Sequence, residues 1–373
     1  MSVPARPVIG IVGSGGAYGR WLAGFFRGRM GLEVLGHDPA DPASAAQDAL
    51  VERADVLLFS TPIRRTVEIV DAWREAAAGR EAGRLWLDVT SIKEAPVAAM
   101  LRSRAEVAGL HPMTAPPKAP TLKGRVLVLC EARLSRWQGW LDALASALEA
   151  QCVRTDPARH DRLMALVQAQ VHALHLAQAG AIRRQAADLG GLAGLMPFRS
   201  ASFELDAAVI ARMLSLNPAI YEDIQFGNPH VPAALAALRD ELDALQALVA
   251  DGGEAARARF RAEALEAPRA AFAGELAAGN HTYERVGYLL ADLADPVALA
   301  VYLPEDRPGS LRALLAAFER HRLSIASIHS SRTPAGELHF RVGFTAEVDR
   351  GALDAAVAAI DGEGIGRVIE RRG

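Results

Sequence analysis

The sequence predicts an α/β protein with three parts: a doubly wound sheet of parallel strands, an all-helical region, and a small βαββαβ module of ferredoxin-like type. Three observations carry this prediction. Over the first ~155 residues, short continuous apolar runs alternate with helical stretches, as in a sheet whose strands are covered on both faces. From Pro157 to about residue 290 the chain is rich in Ala and Leu and offers no convincing strand. The last ~80 residues then read strand, helix, strand, strand, helix, strand. The boundaries are set at 1–156, 157–290 and 295–373.

In the first part the strands are expected at Val8–Val12, Glu33–Gly36, Val56–Phe59, Leu85–Val89, Glu106–Leu110 and Val126–Cys130. Asp156 is a good N-cap and Pro157 a good first helical residue, so a long helix should start there. It should stop at Gly190-Gly191. The charged stretch Glu254–Glu263 reads as a solvated helix face. The third part opens near Asp295-Pro296, with strands at Val297–Leu303, Leu323–Ile328, Leu338–Phe344 and Arg367–Glu370. Its helices are expected at Ser310–His321 and Asp349–Ile360, and its turn at Thr333–Gly336.

Composition excludes several classes. Hydrophobic residues make up 51% and charged residues 23% of the 373, so the chain can bury a core. Lys+Arg 41 against Asp+Glu 44 leaves net −3, without the basic footprint of a nucleic-acid binder. No apolar run approaches the ~20 residues that cross a bilayer, and MSVPARPVIG carries no signal-peptide pattern. Cys130 and Cys152 form neither a disulfide framework nor a zinc spacing. A cytoplasmic enzyme or ligand sensor is expected, with no membrane and no nucleic-acid partner.

The run Gly13-Ser14-Gly15-Gly16-Ala17-Tyr18-Gly19 follows a strand and opens a helix, the setting of a Rossmann-type dinucleotide site. Gly13, Gly15, Gly16 and Gly19 would let the backbone approach a pyrophosphate placed on the helix N-terminus. Asp38 ends the second strand, where a carboxylate accepts the ribose 2′-hydroxyl and favours NAD over NADP. Its plain alternative is a cap for the His37-Asp38-Pro39 turn. Ser60 and Thr61 follow the third strand, at the edge where open α/β sheets bind ligands. Two more strand ends, Asp88-Val89-Thr90-Ser91-Ile92-Lys93 and Leu110-His111-Pro112-Met113, project polar groups onto that edge. A histidine there can accept a proton near neutrality, or simply finish a turn.

These motifs, with His160-Asp161, His172, Arg212 and Asn217-Pro218-Ala219-Ile220-Tyr221-Glu222-Asp223-Ile224 in order behind them, resemble the prephenate dehydrogenases of tyrosine biosynthesis. The resemblance covers about residues 7–285. It implies oxidation of the prephenate C4 hydroxyl, with hydride passing to NAD+ as the ring carboxylate leaves as CO2. By resemblance His111 accepts the hydroxyl proton, Ser91 orients it, and Lys93 supports the loop. Arg212 would hold a substrate carboxylate, or else form a surface ion pair. His172 and Thr114 would also line the substrate site. His160-Asp161 reads either as a substrate contact or as a structural first turn. His172 and His175 lack an HExxH pattern, so no metal is expected.

Two departures stand out. Thr114-Ala115-Pro116-Pro117-Lys118 replaces the glycine and acidic residue often found after the histidine, and Val209 replaces an acidic residue three positions before the arginine. They leave arogenate, or dual cyclohexadienyl, specificity open beside prephenate. A non-catalytic NAD- and amino-acid-sensing regulator is the alternative from another class. Residues ~295–373 resemble an ACT domain, in Asp306-Arg307-Pro308-Gly309-Ser310-Leu311 and in Ile325–Thr333. That resemblance implies an aromatic amino acid effector, tyrosine first, or a module that only dimerises. A homodimer is expected, without a chorismate mutase segment.

Overall fold

The structure, a computed structural model, describes residues 3–117, 119–293, 296–304, 307–332 and 338–373. The expected turn at Thr333–Gly336 lies outside these residues, as do Lys118, Asp295 and Asp306. The chain divides into two compact units, 1–252 and 253–373.

The first unit is built on seven strands: β1 (Ile9–Val12), β2 (Val34–His37), β3 (Val56–Phe59), β4 (Leu85–Asp88), β5 (Glu106–Pro112), β6 (Val126–Arg133) and β7 (Gln151–Thr155). They lie in the order β2-β1-β3-β4-β5-β6-β7. Between them run α1 (Ala17–Gly28), α2 (Gln47–Arg53), α3 (Ile63–Ala77), α4 (Glu94–Leu101) and α5 (Gln138–Ala147). Alternate strand residues point to opposite faces. Ile9, Ile11, Leu58 and Leu87 pack with Phe25 and Phe26 of α1 and with Leu141 and Leu144 of α5. Val12, Phe59 and Trp86 pack with Val70 and Trp73 of α3 and with Val97 and Met100 of α4. Strand order reverses at β1, so the crevice beside it opens at the carboxyl ends of β1 and β3.

Two expectations for the sheet need correction. Val126–Cys130 does not join as a parallel strand: β5 and β6 are antiparallel, with His111 opposite Val128. A parallel return needs a crossover, usually a helix, and the connection after β5 carries Pro116, Pro117 and Pro120 instead. The last strand, β7, is not anticipated at all. It is an exposed edge strand parallel to β6, and an edge strand shows no continuous apolar run.

Asp156 caps the next helix as expected, accepting the Arg159 N–H at 2.8 Å. The helix is not uniform. After α6 (Pro157–Met164) it widens into a π-helical segment over Ala165–Gln170 and resumes as α7 (Val171–Gln185), with Gly190 and Gly191 at positive φ beyond. Then follow α8 (Gly191–Leu195), α9 (Ala201–Ser215), α10 (Pro218–Gly227) and α11 (Val231–Asp251).

The second unit begins with α12 (Glu254–Arg259), α13 (Ala267–Ala271) and α14 (Leu276–Leu293). It ends in the βαββαβ module: β8 (Val297–Leu303), α15 (Ser310–Arg320), β9 (Ser327–Arg332), β10 (Leu338–Phe344), α16 (Arg350–Gly362) and β11 (Arg367–Arg372). Its antiparallel sheet has the order β11-β8-β10-β9. Leu299, Val301 and Phe340 pack there against Leu314, Phe318 and Ile360. The second strand starts four residues later than expected. Leu323 closes α15 instead, donating its N–H to Phe318 after Arg322 at φ 54°, the hydrophobic closure of a helix C-terminus.

Candidate active site

The glycine loop between β1 and α1 is closely packed. Gly13 stands at φ 82°, and a Cβ there would collide with the Ser60 carbonyl oxygen; one at Gly19 would collide with the Gly13 oxygen. The Gly16 N–H closes the turn onto the Gly13 oxygen at 3.2 Å. Asp38 Oδ2 accepts the Gly15 N–H at 2.9 Å, and Oδ1 accepts the Ala40 N–H at 3.0 Å. Asp38 therefore caps its own turn and also meets the glycine loop. Ser60 bonds through its N–H to Val12. The Thr61 hydroxyl is paired with that of Thr66 at 2.9 Å. The loop, Asp38 and Ser60 thus come together at the reversal of strand order, with α1 opening beside them.

His111 is almost wholly buried at the end of β5. Its Nδ1 lies 2.9 Å from His160 Nε2, and His160 Nδ1 lies 2.7 Å from Asp161 Oδ1. A carboxylate only accepts hydrogen bonds, so the proton of a neutral His160 sits on Nδ1. His160 Nε2 then accepts, His111 Nδ1 donates, and His111 Nε2 is left with a lone pair. Burial, then the neighbouring His160 and Lys93, hold His111 well below the usual imidazole range. The arrangement is a buried base that stays neutral at physiological pH.

Asp161 serves a second purpose. Its two oxygens accept the backbone N–H groups of Lys93 (2.7 Å) and Glu94 (2.9 Å), capping α4 from another helix. Asn228 donates to the Asp161 carbonyl oxygen at 2.7 Å. Lys93 is fully buried and ion-paired with Asp88, which also accepts the Thr90 N–H at 3.0 Å. Gly109 leaves the room for this pair, since a Cβ there would meet Lys93 Cδ at 2.6 Å. The Lys93 ammonium is therefore held inside the protein, against the carboxylate at the end of β4. Ser91 is half-buried, and the bond that orients His111 comes from His160 and not from it.

The remaining candidates are more loosely held. The Thr114 carbonyl oxygen accepts the Tyr18 hydroxyl, which ties the loop after His111 to α1. His172 is half-buried on α7 with its ring edge-on to Tyr221, centroids 4.9 Å apart, and burial lowers its pKa. Arg212 is exposed near the end of α9, with no ion-pair partner among the described residues. Asp206, the acid nearest before it in sequence, is taken by Gln178 at 3.1 Å and His175 at 3.4 Å.

Residues 41–155 match the family described as prephenate dehydrogenase, nucleotide-binding domain, and 156–261 its dimerization domain; 297–363 match the ACT domain. A 4-amino-4-deoxyprephenate dehydrogenase of Streptomyces pristinaespiralis is 31% identical over 271 residues, 68% of this chain and 88% of that protein. A probable arogenate/prephenate dehydrogenase of Methanocaldococcus jannaschii is 26% identical over 240 residues, 60% of this chain. The chain spans about half the length of that relative, 52%. Among solved structures, prephenate dehydrogenase from A. aeolicus, in complex with hydroxyphenyl propionate and NAD+, superposes with a TM-score of 0.55 at 16% identity. That match covers 68% of this chain and 93% of the other, and it extends the likeness to the fold. The chain belongs to the prephenate dehydrogenase family.

Proposed function

We propose that the protein carries out the NAD-dependent oxidative decarboxylation of prephenate to 4-hydroxyphenylpyruvate in tyrosine biosynthesis. The observation that carries this reading is the His111–His160–Asp161 relay, which leaves His111 Nε2 unprotonated at the carboxyl edge of the sheet. The residues present fit a dinucleotide: Gly13 and Gly19 keep clear the space that a Cβ would fill, and α1 offers its N-terminus beside them. Gly13, Gly15, Gly16, Gly19, Ser60 and Thr61 would hold NAD, with Asp38 selecting it over NADP. When bound, NAD+ supplies the acceptor for the hydride leaving C4.

The protein's own part begins with His111, which accepts a hydrogen bond and then the proton of the C4 hydroxyl. The resulting imidazolium is hydrogen-bonded to His160, which Asp161 orients. His111 hands the proton back to the phenol oxygen as the ring carboxylate departs and the ring becomes aromatic. Arg212, uncommitted to any acid among the described residues, pairs with a substrate carboxylate. His172 and Thr114 complete the substrate site, and Ser91 meets the hydroxyl. Prephenate is preferred to arogenate because Val209 puts no carboxylate near Arg212 for an ammonium group.

The enzyme works as a cytoplasmic homodimer and is feedback-regulated by tyrosine. The effector site is the start of α15, where the backbone N–H groups of Gly309 and Leu311 suit a ligand carboxylate. Initial rates of NADH production on prephenate and arogenate test the substrate, and tyrosine titration of the same assay tests the regulation. Equal or greater kcat/KM on arogenate would overturn the preference. Unchanged turnover in His111→Asn would overturn the mechanism.

A further inference from the structure

The long helix bearing His160 and His172 contains one irregularity, the π-helical segment Ala165–Gln170. Such a segment absorbs one residue more than an α-helix, and it occurs often at functional sites. At ~100° per residue, the twelve steps from His160 to His172 would leave the two ~120° apart around a regular helix. One absorbed residue returns His172 to within ~20° of His160. His160, Met164, Gln168 and His172, every fourth residue, then share one inward stripe, with His160 and Met164 buried and the other two half-buried.

Two further observations give the irregularity a purpose. The segment is held from outside: Gln225 of α10 donates its side-chain N–H to the Ala169 carbonyl oxygen at 2.7 Å. Ile224, beside it, packs on Ala165 and Ala169. On the stripe, Gln168 Oε1 and His172 Nδ1 are both buried without a hydrogen-bond partner. Buried polar atoms are nearly always paired, and an orphan costs stability. Two orphans one helical turn apart, on the helix that orients the base, mark a place where a ligand's polar group completes the pairing.

We propose that the π-segment, held open by Gln225, presents Gln168 to the substrate, and that the Gln168 carboxamide reads the polar head of the substrate's side chain. Gln168 is thus a specificity-determining residue and Gln225 a positioning residue. This rests on the dehydrogenase reading above. A carboxamide serves either head group: as it stands its oxygen accepts from the ammonium of an amino acid, and with the amide turned over its NH2 occupies the same position and donates to the oxygens of a keto acid.

The test uses the full-length enzyme, wild type beside Gln168→Met, Gln168→Glu and Gln225→Met, with NAD+ and either prephenate or arogenate. Gln168→Met should raise KM for the preferred substrate about tenfold, one hydrogen bond's worth. The KM for NAD+ and the unfolding temperature should hold, because the side chain gives up no internal bond. Gln168→Glu should shift the kcat/KM ratio toward arogenate by tenfold or more, since a carboxylate repels the keto acid and attracts the ammonium. Gln225→Met should raise KM in the same direction. The proposal is overturned if folded Gln168→Met keeps its KM, or if Gln168→Glu changes both substrates equally. A Gln225→Met enzyme that loses unfolding temperature without a change in KM would overturn the positioning role. A wild-type enzyme idle on both substrates would overturn the dehydrogenase reading and this inference with it, whereas an active wild type isolates the variants as its own test.

Discussion

Replacing His160 by Leu tests the relay directly, because it removes the middle of the chain and leaves both ends in place. His111 Nδ1 loses its partner, while Asp161 keeps the Lys93 and Glu94 N–H groups at 2.7 and 2.9 Å. A buried N–H without an acceptor costs about 1–3 kcal/mol, and for a unit of this size that lowers Tm by several degrees. The kinetic effect should be larger. A positioned base supplies ~10²–10⁴-fold. The imidazole remains but no longer has a fixed tautomer or a partner for its charged form, so kcat should fall by about 10²-fold. The pH profile supplies an independent sign. Burial is the first cause of the lowered His111 pKa and His160 the second. Removing His160 should therefore move the acid limb of kcat/KM up, toward but not reaching 6.5. The assay is NADH production from prephenate between pH 5 and 8, beside a thermal melt. Turnover within about threefold of wild type, with an unmoved acid limb, would show that His160 does not orient the base.

Asp38→Ala should relax discrimination against NADP+, read as the ratio of kcat/KM values for the two cofactors; full retention of NAD preference would remove Asp38 from that role. Arg212→Gln should raise KM for prephenate and leave the melting temperature alone, since Arg212 makes no ion pair among the described residues; an unchanged KM would defeat the carboxylate assignment. Lys93→Met strands the buried Asp88 charge and should cost about 3–5 kcal/mol in urea unfolding, with much of that recovered by adding Asp88→Asn. Native His111 resists protonation, so between its lowered pKa and 6.5 the unfolded chain binds more protons. Its stabilisation is full above 6.5 and declines as pH falls below that value, which His111→Asn should abolish in pH-dependent melts.

Much of the architecture is written locally. The Val56–Phe59 strand, the Asp156-Pro157 helix start and the glycine loop each follow from neighbours within a few residues, and each stands where expected. What escaped was set by distant partners. The reversal of β6 depends on how the chain between β5 and β6 returns, and β7 exists only because β6 offers it an edge. The π-segment shows no composition signal, because its open carbonyl is satisfied by Gln225, 56 residues away. His160-Asp161 was visible as a motif. Its role as the orienter of His111 was not, since the two histidines are 49 residues apart and meet only when α6 folds back over β6.

The contrast between the tied and the untied polar groups suggests how this site divides its stability. Asp161 joins the base and the start of α4 in one carboxylate, and Lys93 and Asp88 neutralise each other beneath them. Disturbing any of these should cost fold and turnover together. Arg212, Gln168 and His172 are different: the described residues leave a charge or a buried polar atom on each without a partner. On the proposed reading, the buried unpaired atoms of Gln168 and His172 cost stability until a ligand pairs them, whereas the exposed Arg212 guanidinium stays solvated until then. Substitutions among them should therefore hold or raise Tm while substrate binding weakens. A variant in that set that lowered Tm and spared KM would place its residue in the scaffold instead.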